Sequence, residues 1–506
     1  MISLLWKNIN SEYEVKPVSV LEDSVFTDLK ITKLLESVFD NYSDVDEVLQ
    51  TMKKIPDTES LELRQGIFTD VLNDKENKLD VLYYDLVDLV SRYISLKEAI
   101  EITKKKVFLV MYYHHYYLYL EKVVKVLEEL GVKSDGLCEL IESIKTKLSL
   151  KETGTIRETV DKFYNYIMNH FSFNVEYHDG SPYYKLTFES RENLEDNLLD
   201  IVKGLNINLV KTPRQIVKHE INPYFLHEIS LNDQKVYDET GSFYEEHHQN
   251  VDDLTPYIGE FKYYLYLKTI FEKMASIGIP YTKGEIAKDN ITKINDAYDI
   301  SLTVSGITVI PNDYYVDDKE NISFILGVNS GGKTCYLRSV AANYVYFMTC
   351  GYLFSKSASI YPVKYISTHF PNEENYAFGE GRLRDEIKRL DVIKKTFGPD
   401  SVAFLNETFS STSEERACVL TKELLDSIGD TKAKVMYVTH QYKIFEEIQD
   451  SRIGFFTPVV VEGKENIRTH KIKKVEKKLL SYVDDILFKH GLTKTQLLER
   501  RENKAE

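Results

Sequence analysis

A glycine-rich segment constrains the fold of this chain more than any other feature. It reads GVNSGGKT over residues 327–334 and directly follows the apolar run Ile322–Leu326. A helical stretch begins at Lys333 and continues towards Gly351. The spacing G-x-x-x-x-G-K-[ST] between a strand and a helix is typical of a loop that cradles nucleotide phosphates with its backbone N–H groups. The sequence therefore predicts an α/β domain that binds a nucleoside triphosphate.

The loop also predicts individual ligands. Lys333 is expected to neutralise the β- and γ-phosphates, and the Thr334 hydroxyl is expected to ligate Mg²⁺. The predicted cofactors are therefore ATP and Mg²⁺. The candidate nucleotide contacts within the loop and the first helical turn are Gly327, Asn329, Ser330, Gly331, Gly332, Lys333, Thr334 and Cys335.

Two later apolar runs end in polar residues. Val402–Leu405 precedes Asn406 and Glu407, and a run beginning at Val435 ends in Thr439-His440. Short β-rich runs that alternate with helical stretches predict a largely parallel sheet. Glu407 is a candidate general base for an attacking water, and His440 could reach the γ-phosphate.

The apolar run that ends in Asn406-Glu407 resembles a strand of ABC-type ATPases, in which the first of these two positions usually holds an aspartate that supports the metal ion. The Asn406 amide can accept a hydrogen bond from a metal-bound water, but it carries no negative charge. Thr334, Asn406 and Glu407 together form the candidate metal site. We expect ATP hydrolysis to be slow because of Asn406.

The first 300 residues show a helical pattern instead. No proline occurs between Pro56 and Pro182, and proline is costly inside helices. Leu82, Leu86 and Leu89 recur at the spacing of one helical face. The tyrosine-rich stretch 112–119 admits two interpretations, stacking on nucleic acid or packing between long helices, and the second is favoured.

A small inserted module interrupts the helical region. Residues 171–188 alternate around Asp179-Gly180, which is a β-hairpin signal, and helical periodicity returns near Tyr264. The insert, at about 170–240, contains no acidic residue between positions 201 and 219. The basic residues in that stretch are possible nucleic-acid contacts, and a solvated surface is the other interpretation: Lys203, Lys211, Arg214 and Lys218.

Charge and cysteine usage limit the possible partners and compartment. Residues 1–300 carry 35 basic and 52 acidic side chains, a net charge of −17, whereas residues 301–506 carry +1. An acidic half disfavours non-specific adhesion to nucleic acid, so any such site must be local. The four cysteines show no metal-binding spacing, and no apolar run is long enough to cross a bilayer. We therefore expect a cytoplasmic protein that makes no membrane contact.

The motifs together resemble those of the MutS family of DNA mismatch repair ATPases. Residues 327–341, GVNSGGKTCYLRSVA, resemble the phosphate loop of that family, and Thr439-His440 resembles its Thr-His switch. Asn406-Glu407 with Thr412-Ser413 resembles its Asp-Glu segment. The resemblance implies that Pro311 and Asn312 lie around the adenine of ATP. It further implies that residues 379–386 include a signature that acts on the nucleotide of a second subunit, with Gly381, Arg382 and Glu386 as its candidate residues.

The resemblance gives an expected architecture and function. The fold class is multidomain, an all-α core and lever with a small inserted clamp, followed by an α/β P-loop ATPase domain of the ABC type. The expected boundaries are 1–60 for the first core segment, 61–299 for the core and lever, 300–470 for the ATPase domain and 471–506 for a helical dimerisation element. ATP binding at a homodimer interface would switch the arms on DNA structures. The alternative is a nucleotide switch that acts on a protein or on ribosomal RNA.

The chain departs from the family at several positions. The first 100 residues contain no Phe-x-Glu triplet of the kind that reads mismatches. Gly381 and Arg382 replace the usual Ser-Thr pair of the signature, and Asn406 replaces the aspartate. We therefore expect a short form without the N-terminal mismatch-recognition domains, without a C-terminal Smr domain and without mismatch reading.

Overall fold

The structure is a computed structural model that describes part of the chain. The described residues are 2–7, 17–103, 106–170, 172–178, 181–187, 233–249, 252–327, 331–371, 379–441, 447–461 and 467–475. They form two compact units, one of residues 1–2 and 73–261 and one of residues 3–72 and 262–506. The bounds of these units do not coincide with the domain borders expected after residues 60, 299 and 470. Those borders stay predictions.

The helices follow the proline and periodicity pattern of the sequence. In chain order they are α1 Asp23–Asp28, α2 Ile31–Val38, α3 Tyr42–Lys53, α4 Thr58–Asn73, α5 Lys78–Thr103, α6 Phe108–Leu130, α7 Asp135–Ser149, α8 Lys151–His170, α9 Gln234–His247, α10 Thr255–Ser276, α11 Lys333–Cys350, α12 Gly379–Lys394 and α13 Glu414–Ile428. A 3₁₀ helix, η1, spans Ile300–Ser305. Helices α5 to α8 fill the region predicted to be helical.

The strands are concentrated after residue 280. In chain order they are β1 Ser19–Val20, β2 Lys54–Ile55, β3 Ser172–His178, β4 Ser181–Thr187, β5 Thr282–Lys283, β6 Glu285–Ile286, β7 Thr292–Ala297, β8 Asn312–Val316, β9 Ile322–Ile325, β10 Tyr352–Leu353, β11 Ser357–Ile360, β12 Tyr365–His369, β13 Ser401–Asn406, β14 Lys434–Val438, β15 Ile453–Val461 and β16 Ile467–Val475. The predicted division into a helical region and a later α/β region is therefore confirmed.

The tyrosines of α6 lie in the core of the helical unit. Tyr112, Tyr113 and Tyr116 are each only 3% exposed. The Tyr113 hydroxyl donates a hydrogen bond to the backbone carbonyl of His247 at 3.1 Å, and the Tyr116 hydroxyl donates to Asp252. Buried rings with satisfied hydroxyls are packing residues, so the packing interpretation of this stretch is confirmed.

The predicted β-hairpin is present. Strands β3 and β4 pair antiparallel, from Ser172 opposite Thr187 to His178 opposite Ser181. The Asp179-Gly180 turn lies outside the described residues. So do the basic candidates of the insert, which therefore stay predictions: Lys203, Lys211, Arg214 and Lys218.

A six-stranded sheet organises the other unit. Its strand order is β12-β13-β14-β9-β15-β16, and every neighbouring pair is parallel except β15 with β16. Every residue of β9, β13 and β14 is buried, as expected for central strands covered on both faces. The carboxyl ends of β12, β13, β14 and β9 consequently lie at one edge of the sheet.

The remaining strands form smaller sheets. A four-stranded sheet has the order β6-β11-β7-β8, and β5 pairs with β10. Near the N-terminus β1 pairs antiparallel with β2. Strand β8 leads into the six-stranded sheet, because only a short turn separates it from β9.

A fully buried arginine joins α4 to the end of α11. Arg64 is 0% exposed, and its guanidinium donates to the backbone carbonyls of Leu5 at 3.0 Å and Thr349 at 3.3 Å. Its guanidinium carbon lies 4.3 Å from the centre of the Trp6 ring. Thr349 is in the last turn of α11, where carbonyls without helical partners favour a cation.

The expected helical tail begins differently in the structure. Residues 471–475, which the sequence assigned to the C-terminal helical element, belong to strand β16. The physical reason is the antiparallel pairing of β16 with β15, which satisfies the backbone groups of this segment. Lysines along this edge strand suit a position where one side faces solvent. Residues 476–506 lie outside the described part of the chain.

None of the helices in the described ranges is long and apolar enough to cross a bilayer.

Candidate functional site

Two glycines shape the bend between β9 and α11. Gly327 has a φ of +142° and Gly332 a φ of +94°, values that residues with a side chain rarely adopt. A Cβ atom on Gly327 would lie 2.6 Å from the Pro458 ring, so no larger residue fits there. Gly331 is buried beside Gly332, whereas Asn329 and Ser330 lie outside the described residues. The bend therefore requires glycine where the motif predicts it.

Lys333 is held inside the bend. Its side chain is almost entirely buried, and Nζ donates a hydrogen bond to the Gly327 carbonyl at 2.7 Å. Burial lowers the pKa of Lys333, and the negative charge of Glu407 partly opposes this effect. A buried cation at the N-terminus of α11 is suited to bind an anion, because the helix dipole adds positive potential at the same point.

Thr334 and Asn406, which the sequence analysis assigned to one candidate metal site, are in contact in the structure. The Thr334 hydroxyl donates to Asn406 Oδ1 at 3.1 Å, although the two residues are far apart in the chain. Asn406 is the last residue of β13 and is 7% exposed. Within the part of the chain that the structure describes, no group of three or more His, Cys, Asp or Glu residues could hold a metal ion. Any metal here would rely on a hydroxyl, an amide and the single carboxylate of Glu407.

Glu407 and His440 also meet at this edge of the sheet. His440 Nδ1 lies 3.9 Å from Glu407 Oε1, and both side chains remain partly exposed. The Glu407 amide donates to the Val438 carbonyl at 2.8 Å, and its φ of +48° is unusual for a residue with a side chain. The carboxylate therefore belongs to a fixed turn, and it is near enough to Lys333 for its negative charge to act on the pKa of that ammonium group.

A cavity of about 190 Å³ adjoins the start of α11. Its wall is largely apolar and includes Leu302, Ile307 and Tyr336. Cys335 and His470 also line it, and His470 packs against Gly332, where a Cβ atom would lie 3.4 Å from the histidine. The cavity is therefore continuous with the bend that holds Lys333.

Pro311 and Asn312 lie beside this cavity and contact β16. The Asn312 amide donates to the His470 carbonyl at 3.1 Å, and its Oδ1 accepts from the Ile472 amide at 2.8 Å. The Pro311 carbonyl accepts a hydrogen bond from Lys471. Asn312 thus holds β16, and with it His470, against the cavity. A direct contact of either residue with a nucleotide stays a prediction.

Sequence reasoning gave no role to three residues at the site, Asp299, Arg338 and His470. Arg338 forms a buried ion pair with Asp299, with Nη2 2.7 Å from Oδ2, and this pair attaches α11 to the 3₁₀ helix that borders the cavity. His470 belongs to a distant strand. Arg338 lies within the segment 327–341, whereas Asp299 and His470 carry no local sequence signal, because only tertiary packing brings them to the site.

The candidate signature residues lie in α12. Gly381 and Arg382 belong to its first turn, and their side chains are not among those that the structure describes. Glu386 is 8% exposed, and its Oε2 accepts a hydrogen bond from the Ser411 hydroxyl of the same chain at 3.1 Å. A role of this segment on a second subunit stays a prediction.

His369, at the end of β12, makes the unit acid-sensitive. Burial, with a smaller contribution from the Arg389 cation, lowers the pKa of His369 to about 4. Its imidazole is therefore neutral when folded but binds a proton near its ordinary pKa when unfolded. Stability is consequently lost as the pH falls through the interval between these two values, by about 2 kcal/mol from about pH 7 to about pH 5.

We expect His369→Gln to reduce this loss. Urea unfolding of the parent and the variant at about pH 7 and about pH 5 measures it, and the variant should lose less stability on acidification. Asp28 accepts a hydrogen bond from Arg389 and titrates in both proteins, so it cancels in the comparison. Equal losses in the two proteins would contradict the assignment to His369.

These contacts define a candidate phosphate site. A glycine bend, a buried lysine at a helix N-terminus, a hydroxyl with an amide, and a carboxylate with a histidine all converge at the carboxyl edge of a parallel sheet. In open α/β sheets ligands bind outside the carboxyl ends of the strands.

Comparison with known proteins identifies relatives in the family that the sequence motifs resemble. No protein-family profile matches the chain. Among curated proteins, DNA mismatch repair protein MutS of Leptospira interrogans is 24% identical over 241 residues, 45% of this chain and 28% of that protein. MutS of Solibacter usitatus is 30% identical over 139 residues, 27% of this chain and 16% of that protein. MutS of Fusobacterium nucleatum is 28% identical over 203 residues, 38% of this chain and 22% of that protein.

The predicted resemblance to the MutS family is therefore confirmed for part of the chain. The aligned segments span less than a third of the length of these relatives.

Proposed function

We propose that the protein binds and hydrolyses ATP at the candidate phosphate site, as an ATPase with a P-loop domain of the ABC type. The observation that carries this proposal is the convergence of Lys333, Thr334, Asn406, Glu407 and His440. These five residues come from three motifs that the sequence analysis identified separately. A chance match of one motif would not bring the others within a few ångströms of it.

Some of these residues would bind the nucleotide and the metal ion, and others would take part in the hydrolysis reaction. Lys333 would exchange its hydrogen bond with the Gly327 carbonyl for phosphate oxygens, and the helix N-terminus would add attraction. Thr334 and Asn406 would hold Mg²⁺, which neutralises phosphate charge when bound. Glu407 would accept a proton from the attacking water, and His440 would contact the terminal phosphate.

The adjoining cavity would receive the nucleobase. Its apolar wall and the His470 ring offer a surface on which a flat base can stack. Asn312 would act through its hold on β16, which keeps His470 at the cavity.

The missing carboxylate at position 406 gives a direct prediction. Asn406→Asp is expected to raise Mg²⁺-dependent hydrolysis about tenfold, because a carboxylate binds the ion more strongly than an amide and still accepts from Thr334. Initial rates across a magnesium titration measure this. The double variant with Glu407→Gln should stay inactive, and a single-variant rate at or below that of the parent would contradict the prediction.

We further propose that two copies enclose the nucleotide and that ATP binding favours one arrangement of their arms. The support is the resemblance to MutS, with residues 379–386 in the position of the signature. Sedimentation with and without ATP, using a variant that does not hydrolyse it, tests this. A monomer under both conditions would exclude a nucleotide-bridged dimer.

The substrate that we propose is a DNA structure, acted on without mismatch reading. The names of the similar proteins support DNA, and the alternative is a protein or ribosomal RNA partner. The charge of −17 over residues 1–300 disfavours binding to any nucleic acid, so it supports the protein partner of that alternative. Binding to duplex DNA, branched DNA and structured RNA over a salt titration separates the two. Absence of DNA binding at low salt, with RNA bound, would select the alternative.

A further inference from the structure

The turn that follows Glu407 is under backbone strain. Glu407 has a φ of +48° and Phe409 a φ of +65°. These two neighbours of Thr408 therefore adopt the left-handed conformation although each carries a side chain. This conformation is disfavoured for such residues and persists only where surrounding contacts impose it. The strain lies directly at the proposed general base.

Two buried side chains hold Thr408 at the centre of this turn. Thr408 is 1% exposed, and its Oγ1 lies 3.2 Å from His369 Nδ1. Its carbonyl accepts a hydrogen bond from the Tyr437 hydroxyl at 3.0 Å. We call His369, Thr408 and Tyr437 the Thr408 brace. The brace joins the ends of three neighbouring strands, β12, β13 and β14.

The rest of the turn is fixed by the backbone and the core. The Glu407 amide donates to the Val438 carbonyl at 2.8 Å, and the Ser410 amide donates to the Glu407 carbonyl at 3.2 Å. The Phe409 side chain is buried in the hydrophobic core beneath the sheet. The conformation of Glu407 is therefore fixed by hydrogen bonds of its own backbone and by the burial of Phe409, which follows it in the turn.

The protonation states of His369 and Tyr437 allow the Thr408 brace to persist near neutral pH. His369 is neutral near neutral pH because burial and Arg389 lower its pKa, so it does not add a charge beside Glu407. Burial raises the pKa of Tyr437, so its hydroxyl keeps its proton and stays a donor. Neither side chain changes its protonation over the pH range in which ATP hydrolysis would occur.

We propose that His369 and Tyr437 are positioning residues for ATP hydrolysis: through Thr408 they hold Glu407 in the left-handed conformation from which its carboxylate reaches the attacking water. This inference rests on the proposed ATPase function. A general base works only when it lies within hydrogen-bonding reach of the proton that it removes. Releasing the turn displaces the carboxylate while Lys333 and Thr334 keep their places.

Three variants test the brace with little change of volume. Thr408→Val removes the contact with His369, and Thr408→Ser keeps the hydroxyl. Tyr437→Phe removes the hydrogen bond to the Thr408 carbonyl together with a 3.3 Å contact between the Tyr437 and Thr421 hydroxyls. We expect Thr408→Val and Tyr437→Phe to lower kcat by about tenfold or more, with the KM and the Kd for ATP within about twofold of the parent. Thr408→Ser should retain most of the parental kcat.

A second tyrosine provides the matched control. Tyr346 is equally buried in the same unit, and its hydroxyl has no hydrogen-bond partner among the residues that the structure describes, so Tyr346→Phe removes a buried hydroxyl without releasing the turn. This variant should keep the parental kcat. Parental kcat in both Thr408→Val and Tyr437→Phe would overturn the proposal.

Hydrogen exchange separates this inference from the proposed function. The amides of Glu407 and Ser410 should exchange faster in Thr408→Val and Tyr437→Phe than in the parent and in Thr408→Ser. If the parent does not hydrolyse ATP, the proposed function fails. In that case faster exchange still upholds the brace as the support of the turn, and unchanged exchange overturns it.

Discussion

Lys333→Ala is expected to abolish ATP binding. The variant removes the buried ammonium group that lies at the N-terminus of α11 and donates to the Gly327 carbonyl. Losing one partner of a buried charge contact costs about 3 kcal/mol or more, which corresponds to a loss of affinity of about 100-fold or more. Isothermal titration calorimetry with ATP and Mg²⁺ measures the loss.

Folding must be separated from binding in this experiment. Burial already lowers the pKa of Lys333 in the free protein, so its removal should not unfold the unit. The thermal unfolding midpoint without nucleotide should therefore stay close to that of the parent. Lys356→Ala, which removes an exposed lysine of the same unit, serves as the control and should bind ATP normally. Unchanged affinity in Lys333→Ala would place the nucleotide elsewhere or exclude it.

Glu407→Gln is expected to stop turnover while ATP stays bound. The amide keeps the size of the side chain but cannot accept a proton from water, and general-base catalysis contributes about 100-fold to 10,000-fold. Lys333 and Thr334 are unchanged, so the Kd for ATP should remain within about threefold. Single-turnover hydrolysis and equilibrium binding, measured on the same preparation, provide the two values.

A glutamate in the next helix controls for the loss of one charge. Glu414 is exposed at the start of α13, so Glu414→Gln changes the net charge equally without touching the site. This variant should hydrolyse ATP at the parental rate. If Glu407→Gln also keeps that rate, another group removes the proton, and the proposed role of Glu407 is wrong.

The positions of the candidate site residues were predictable where they depend on a local pattern. The glycines, Lys333 and Thr334 follow a fixed spacing, and Asn406 and Glu407 follow an apolar run that ends at the sheet edge. Parallel strands bring such ends together whatever the intervening sequence is. Periodicity and the absence of proline similarly predicted the helices of residues 78–170.

The remaining parts of the site depend on contacts between distant segments. His470 reaches the cavity because β16 pairs with β15, and Asn312 holds it there. Thr408 and Tyr437 occupy ordinary strand-end positions, and nothing in their neighbours indicates the hydrogen bond between them. The start of the expected helical tail was wrong for a related reason, because strand pairing determined its conformation.

The buried Arg64 determines which fragments of this protein are worth expressing. A truncation at the border expected from sequence, after residue 299, would delete the guanidinium that caps the carbonyl of Thr349 and the Gln65 amide that donates to Gly351 at 2.8 Å. Removing only the first seven residues would strip Arg64 of Leu5 and Trp6 instead. A fragment that keeps these contacts should therefore retain residues 3–72 together with residues 262–506.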